Sequence, residues 1–132
     1  MRVRCIAERP SQSQVLQLGR HYAPNRTVYP VRCGEEHTVF GIGFWDGIVW
    51  IDVEVQTEVL VSVPLFLFEI VDGRPSRLWE ARVDQNGGLT MWPPSFYERA
   101  YHDRLSDGKL PETKDFEVIK KRMEIEELSE SL

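Results

Sequence analysis

The sequence predicts an α+β domain, built from a strongly bent antiparallel sheet or partly open barrel within residues 2–92 and two C-terminal helices at 94–107 and 112–130. Short runs up to Trp92 alternate apolar and polar residues and are separated by Asp-Gly and Gly-Gly turns. After Pro94 the apolar residues recur about every fourth position instead, as in a helix. With 42% hydrophobic residues, the 132-residue chain can fill one core, so we expect a single domain, 1–132.

The N-terminal third contains two predicted strands joined by a long connection. Residues 2–8 alternate with Val3 and Cys5 on one face, which predicts the first strand. Residues 9–26 are expected to be a connection. Residues 28–33 resume the extended pattern, and Pro30, which lacks an amide hydrogen, favours an edge position for this strand.

Residues 40–55 are expected to form the clearest hairpin, because alternation on both sides flanks Asp46-Gly47, a preferred two-residue turn. In its second strand, isoleucine and valine residues occupy the predicted core face. The opposite, solvent-facing positions are Trp50, Asp52 and Glu54.

Further strands complete a sheet of about six. Residues 59–71 predict a strand that bends or breaks at Pro64. Residues 78–83 and 89–92 predict a second hairpin around 84–88, where two glycines permit positive φ.

Two helices are expected after the sheet. Ser95 and Glu98 have the spacing of a capping box, which predicts a helix from 94 to 107. The segment 112–130 has charge pairs at four-residue spacing and two apolar faces. One face is Phe116, Ile119 and Met123, and the other is Val118, Ile125, Leu128 and Leu132. Either the second face meets a partner, or the helix ends near Glu126 and is followed by a frayed tail.

Charge and composition narrow the function classes. The net charge of −5 makes nucleic acid an unlikely partner and is compatible with a basic protein partner. The longest apolar run, 59–68, is too short for a bilayer, so no membrane span is expected. Charged residues within the first nine positions argue against an export signal, which predicts a cytoplasmic location. We therefore expect Cys5 and Cys33 to be buried free thiols, with a disulfide as the alternative.

Three segments resemble small bacterial and phage SH3-like barrel proteins. They are Val3-Arg4-Cys5-Ile6, residues 16–22 (LQLGRHY) and residues 64–71 (PLFLFEIV), which match the opening, middle and closing strands of such proteins. The resemblance covers about half the chain. It implies an SH3-like barrel with a binding role, and it implies no catalytic residue.

The candidate reactive groups do not form a recognisable site in the sequence. The glycine-rich segment 41–47 joins two strands rather than a strand and a helix, so Gly41 and Gly43 are expected to make room for aromatic rings, not to hold a nucleotide. The three histidines and two cysteines lack the short spacings of zinc ligands, and no serine lies in a nucleophile elbow. No metal, cofactor or catalytic residue is expected.

The sequence thus favours a non-catalytic protein-interaction module, such as an immunity protein, antitoxin or accessory protein, that binds a basic partner. Trp50, Asp52 and Glu54 would form its surface, unless the C-terminal helix covers them. Trp92, before two prolines, would be a contact anchor or would close the core against Tyr97 and Tyr101. The alternative function is a small-molecule-binding barrel.

Overall fold

A computed structural model describes residues 1–129 of the chain. Residues 1–129 contain eight strands: β1 (Arg2–Cys5), β2 (Glu36–Thr38), β3 (Gly41–Trp45), β4 (Ile48–Gln56), β5 (Val59–Pro64), β6 (Phe68–Asp72), β7 (Glu80–Val83) and β8 (Leu89–Trp92). The α-helices are α1 (Gln12–Leu18), α2 (Tyr101–Ser106) and α3 (Leu110–Leu128). None of these helices has both the length and the apolar composition needed to cross a bilayer.

The strands form two antiparallel sheets, which confirms the α+β class. The three-stranded sheet has the order β2-β1-β6 and the five-stranded sheet the order β5-β4-β3-β8-β7. Within residues 1–129 they do not close into a barrel. Both predicted hairpins are confirmed: Trp45 pairs with Ile48 across Asp46-Gly47, and Val83 pairs with Leu89. The break predicted at Pro64 is also present, because a 3-10 turn at Leu65–Leu67 separates β5 from β6.

The main core lies between the two sheets. Val3 and Cys5 of β1 pack against Ile51, Val53 and Val63, which project from one face of the large sheet. We call this the inner face. The opposite, outer face of the large sheet is covered at one end by α2 and α3, and its second core includes Leu105 and Phe116.

The prediction of one continuous helix at 94–107, capped by Ser95, is wrong on both points. A 3-10 turn spans Pro94–Tyr97, and Ala100, with φ 60°, separates it from α2. Ser95 does not cap a helix, because its hydroxyl donates to Asp115 Oδ2 of α3 at 2.6 Å. The C-terminal helix is confirmed, with α3 at Leu110–Leu128. Residue 130 of its predicted span, and Leu132, lie outside the described residues.

Two expectations for the N-terminal third are wrong. Residues 28–33 are not a strand, and Cys33 is exposed rather than buried, although it is a free thiol like the buried Cys5. The connection at 9–26 contains α1, where Ser11 and Gln14 form a capping box. This Ser-x-x-Gln spacing is visible in the sequence and could have predicted the start of α1.

Tyr101 joins α2 to α3 and makes stability depend on pH. Its hydroxyl donates to Asp115 Oδ2 at 2.7 Å, and burial together with this bond raises the pKa of Tyr101 above its ordinary value. In the unfolded chain the phenol ionises near pH 10. The folded state therefore retains a proton that the unfolded state loses, so the free energy of unfolding should fall as pH rises above about 10.

We expect Tyr101→Phe to lower the free energy of unfolding by about 1.5–3 kcal/mol at pH 7, because a bond to a carboxylate is lost. The variant should also lose less stability than the parent between pH 9 and 11. Urea melts at pH 7, 9 and 11 measure the loss of stability and its pH dependence. Tyr22→Phe is the control, since the Tyr22 hydroxyl makes no hydrogen bond within residues 1–129. An unchanged pH dependence in Tyr101→Phe would contradict the assignment.

Candidate functional site

Two glycines of β3 leave room on the outer face for two tryptophan rings. A Cβ on Gly43 would lie 1.9 Å from Cζ3 of Trp45, and one on Gly41 would lie 2.5 Å from Cδ1 of Trp92. Both distances are too short for non-bonded atoms, so a side chain at either position would displace the ring. The prediction that these glycines make room for aromatic rings is confirmed.

The two rings line a cavity of about 430 Å³, which we call the tryptophan cleft. Thr90 of β8 lies next to Gly43 across the β3–β8 pairing and also lines the cavity. One rim carries charged side chains from the turn after α1 and from the β3–β4 turn, and the other rim is the β7–β8 loop. The rim residues are Arg20, His21 and Asp46 on the first side and Asp84, Asn86, Gly87 and Gly88 on the second.

Both indole rings are held in place by other aromatic side chains. Trp45 stacks on Trp50 with ring centroids 5.4 Å apart and planes 9° from parallel, so Trp50 covers one face of the Trp45 ring. Trp92 packs on Tyr97 at 4.8 Å, and the Tyr97 hydroxyl is fixed by donating to the Glu80 carbonyl at 2.7 Å. The walls of the cleft are therefore preorganised.

Asp46 organises the first rim. It occupies a left-handed turn position, with φ 54°, and its Oδ2 lies 2.8 Å from His21 Nε2 and 3.1 Å from Arg20 Nη2. These hydrogen bonds, that from His21 foremost, lower the pKa of the Asp46 carboxyl. Asp46 is therefore ionised near neutral pH, and the two basic side chains are held by the same oxygen atom.

Asp84 organises the second rim. Its Oδ1 accepts hydrogen bonds from the backbone amides of Asn86 at 2.9 Å and Gly88 at 2.8 Å, which fixes the β7–β8 loop. Within residues 1–129, no lysine, arginine or histidine forms an ion pair with Asp84. The carboxylate therefore contributes an unneutralised negative charge to the cleft.

The predicted exposure of Trp50 and Asp52 is wrong. Trp50 is 7% exposed and packs with Leu18 and Ile48, and Asp52 is 4% exposed. Both do project from the outer face, but that face is covered at these positions by chain from other parts of the sequence. Neither residue can serve as the surface anchor expected of it.

Glu54 and Trp92 have different surroundings. Glu54 Oε1 pairs with Lys120 Nζ at 2.7 Å, so the predicted alternative, in which the C-terminal helix covers the strand, is confirmed for this carboxylate. Trp92 is half-buried and contacts the second core while lining the cleft. Of the four predicted site residues, Trp92 alone lines the cleft.

Asp52 lies between a serine and a histidine without forming a nucleophile–base pair. Ser62 Oγ donates to Asp52 Oδ1 at 2.6 Å, and His102 Nε2 lies 3.7 Å from Asp52 Oδ2. A serine nucleophile needs its hydroxyl directed to the base, whereas this hydroxyl is directed to the acid. The arrangement stabilises a buried carboxylate.

Sequence reasoning did not identify Trp45, Asp46 or Asp84 as site residues, although Gly41 and Gly43 indicated where rings would lie. In the part of the chain that the structure describes, no three His, Cys, Asp or Glu side chains are grouped so that they could hold a metal ion. Comparison of the chain with protein-family models, curated proteins and solved structures found no match.

Proposed function

We propose that the chain is a non-catalytic binding protein and that the tryptophan cleft is its binding site. The observation that carries this proposal is the cavity of about 430 Å³ that is lined by two fixed indole rings, each lying over a glycine of β3. Its volume lies in the range of pockets that hold small ligands or protruding side chains. Aromatic walls with a few fixed polar groups are typical of such sites.

The unused indole N–H groups support the proposal. Within residues 1–129, Trp79 donates to the Phe40 carbonyl at 2.9 Å, whereas Trp45 and Trp92 make no hydrogen bond through their indole nitrogens. Tryptophan offers a large contact area and one donor at low entropic cost. Within residues 1–129, each of these two side chains therefore has an indole donor without an acceptor.

The proposed partner is the one predicted from the sequence, a basic protein. The chain would bind it as an immunity protein, antitoxin or accessory protein. The cleft takes the place of Trp50 and Asp52 as the contact site. A small-molecule ligand is the second candidate, favoured by the concave shape of the cleft. The resemblance to SH3-like barrel proteins stays a prediction, and the proposal does not depend on it.

The test removes the two indole rings that line the cleft and verifies that the protein still folds. We expect Trp45→Ala/Trp92→Ala to lose at least tenfold in affinity for any protein or metabolite that the parent retains from a cell extract. Leu16→Ala, at an exposed position outside the cleft, is the control and should bind like the parent. Calorimetry with the recovered partner measures the affinities, and circular dichroism verifies the fold. Equal affinity of the folded double variant would contradict the proposal.

A further inference from the structure

We infer that the tryptophan cleft recognises an organic cation, either an ammonium or a guanidinium group. This inference rests on the proposed function, because it specifies what the cleft binds. The charges of the rims, the aromatic walls and a cation–aromatic contact next to the cleft all favour such a ligand.

The charges of the rims favour a positively charged ligand. The basic lining residues Arg20 and His21 are both engaged by Asp46 Oδ2, at 3.1 and 2.8 Å. Asp84 has no such counter-charge within residues 1–129. When His21 is neutral, the carboxylates exceed the guanidinium by one negative charge. An anion would have to compete with Asp46 for the basic groups, whereas a cation finds Asp84 unpaired.

The walls favour the same ligand. A tryptophan face attracts a cation through the negative potential of its π-system, and tryptophan is the strongest of the aromatic residues in this respect. Trp50 covers one face of Trp45, so a cation in the cleft would contact the other face of that ring. The cleft therefore combines two aromatic walls with one unneutralised carboxylate.

The same sheet face already contains a contact of this kind. The guanidinium of Arg82 lies 4.0 Å from the ring centroid of Tyr97, the residue against which Trp92 packs. Arg82 is also paired with Glu80 at 2.6 Å, so this guanidinium has both an aromatic and a carboxylate partner. Trp45, Trp92 and Asp84 would offer an incoming cation that combination.

The test compares cations with neutral molecules of the same shape. Choline is matched by 3,3-dimethylbutan-1-ol, in which carbon replaces the charged nitrogen, and N-acetylarginine amide by N-acetylcitrulline amide. We expect each cation to bind at least tenfold more tightly than its neutral match and to shift the indole N–H resonances of Trp45 and Trp92. Tighter binding of choline would indicate a small-molecule ammonium ligand, and tighter binding of the arginine derivative a protein side chain.

Asp84→Asn provides the matched variant, because its amide oxygen can still accept the two loop hydrogen bonds. We expect at least a fivefold loss of cation affinity and no change for the neutral molecules. If neutral and cationic molecules shift the two resonances equally, the cleft is a binding site and the inference of a cation is wrong. If none of the four binds the folded parent protein, the inference is also wrong, while the extract experiment still decides the proposed function.

Discussion

Phe116→Ala should lower the free energy of unfolding by about 3–5 kcal/mol, the usual cost of truncating a buried phenylalanine. Phe116 is 1% exposed and packs on Phe40 with ring centroids 5.0 Å apart, so it connects α3 to the large sheet. Its removal leaves a cavity that rigid strands cannot close. Urea unfolding followed by circular dichroism measures the change.

Val118→Ala is the control on the same helix, because Val118 is 51% exposed. It should change the free energy of unfolding by no more than about 0.5 kcal/mol. If Phe116→Ala were equally mild, α3 would not be part of the second core.

Gly43→Ala should lower the free energy of unfolding by about 1–3 kcal/mol and should disrupt the tryptophan cleft. The new methyl group would overlap the ring of Trp45, which must then leave its position on Trp50. We expect a reduced near-ultraviolet circular dichroism signal, since that signal depends on the fixed packing of the two indoles. Any ligand of the cleft should bind at least tenfold more weakly.

Gly73→Ala is the matched glycine control. A Cβ at Gly73 would meet only Ile70 Cγ2, at an ordinary contact distance of 3.5 Å. This variant should retain both the signal and the stability of the parent. A Gly43→Ala protein with unchanged near-ultraviolet signal would show that Trp45 does not lie over Gly43 in solution.

The local features of the fold could be predicted from the sequence because they depend on neighbouring residues. Asp46-Gly47 fixes a tight turn through positive φ at both positions, and the flanking alternation sets which side chains share a face. The position of the Trp45 ring over Gly43, two residues earlier, was predictable for the same reason. Each such feature is determined within a few residues of the chain.

The burial of Trp50 could not be predicted in this way. Alternation in β4 separates two faces, but it does not say whether distant chain covers the second face. Leu18, thirty-two positions earlier, packs beside Trp50, and α1 contributes no other buried side chain. The cleft was missed for the same reason, since its two rims come from turns that are far apart in the sequence.

The pairing of β1 has a consequence for the order in which the chain folds. The β3–β4, β4–β5 and β7–β8 pairs are hairpins between successive strands, whereas Val3 of β1 pairs with His37 on one side and Ile70 on the other. Closing such long loops costs more entropy than closing a hairpin turn, and non-local pairing slows folding. During synthesis β1 leaves the ribosome before both strands with which it pairs, and the small sheet is complete only when β6 has followed. The hairpins of the large sheet would then form first and provide the surface on which β1 and its partner strands assemble.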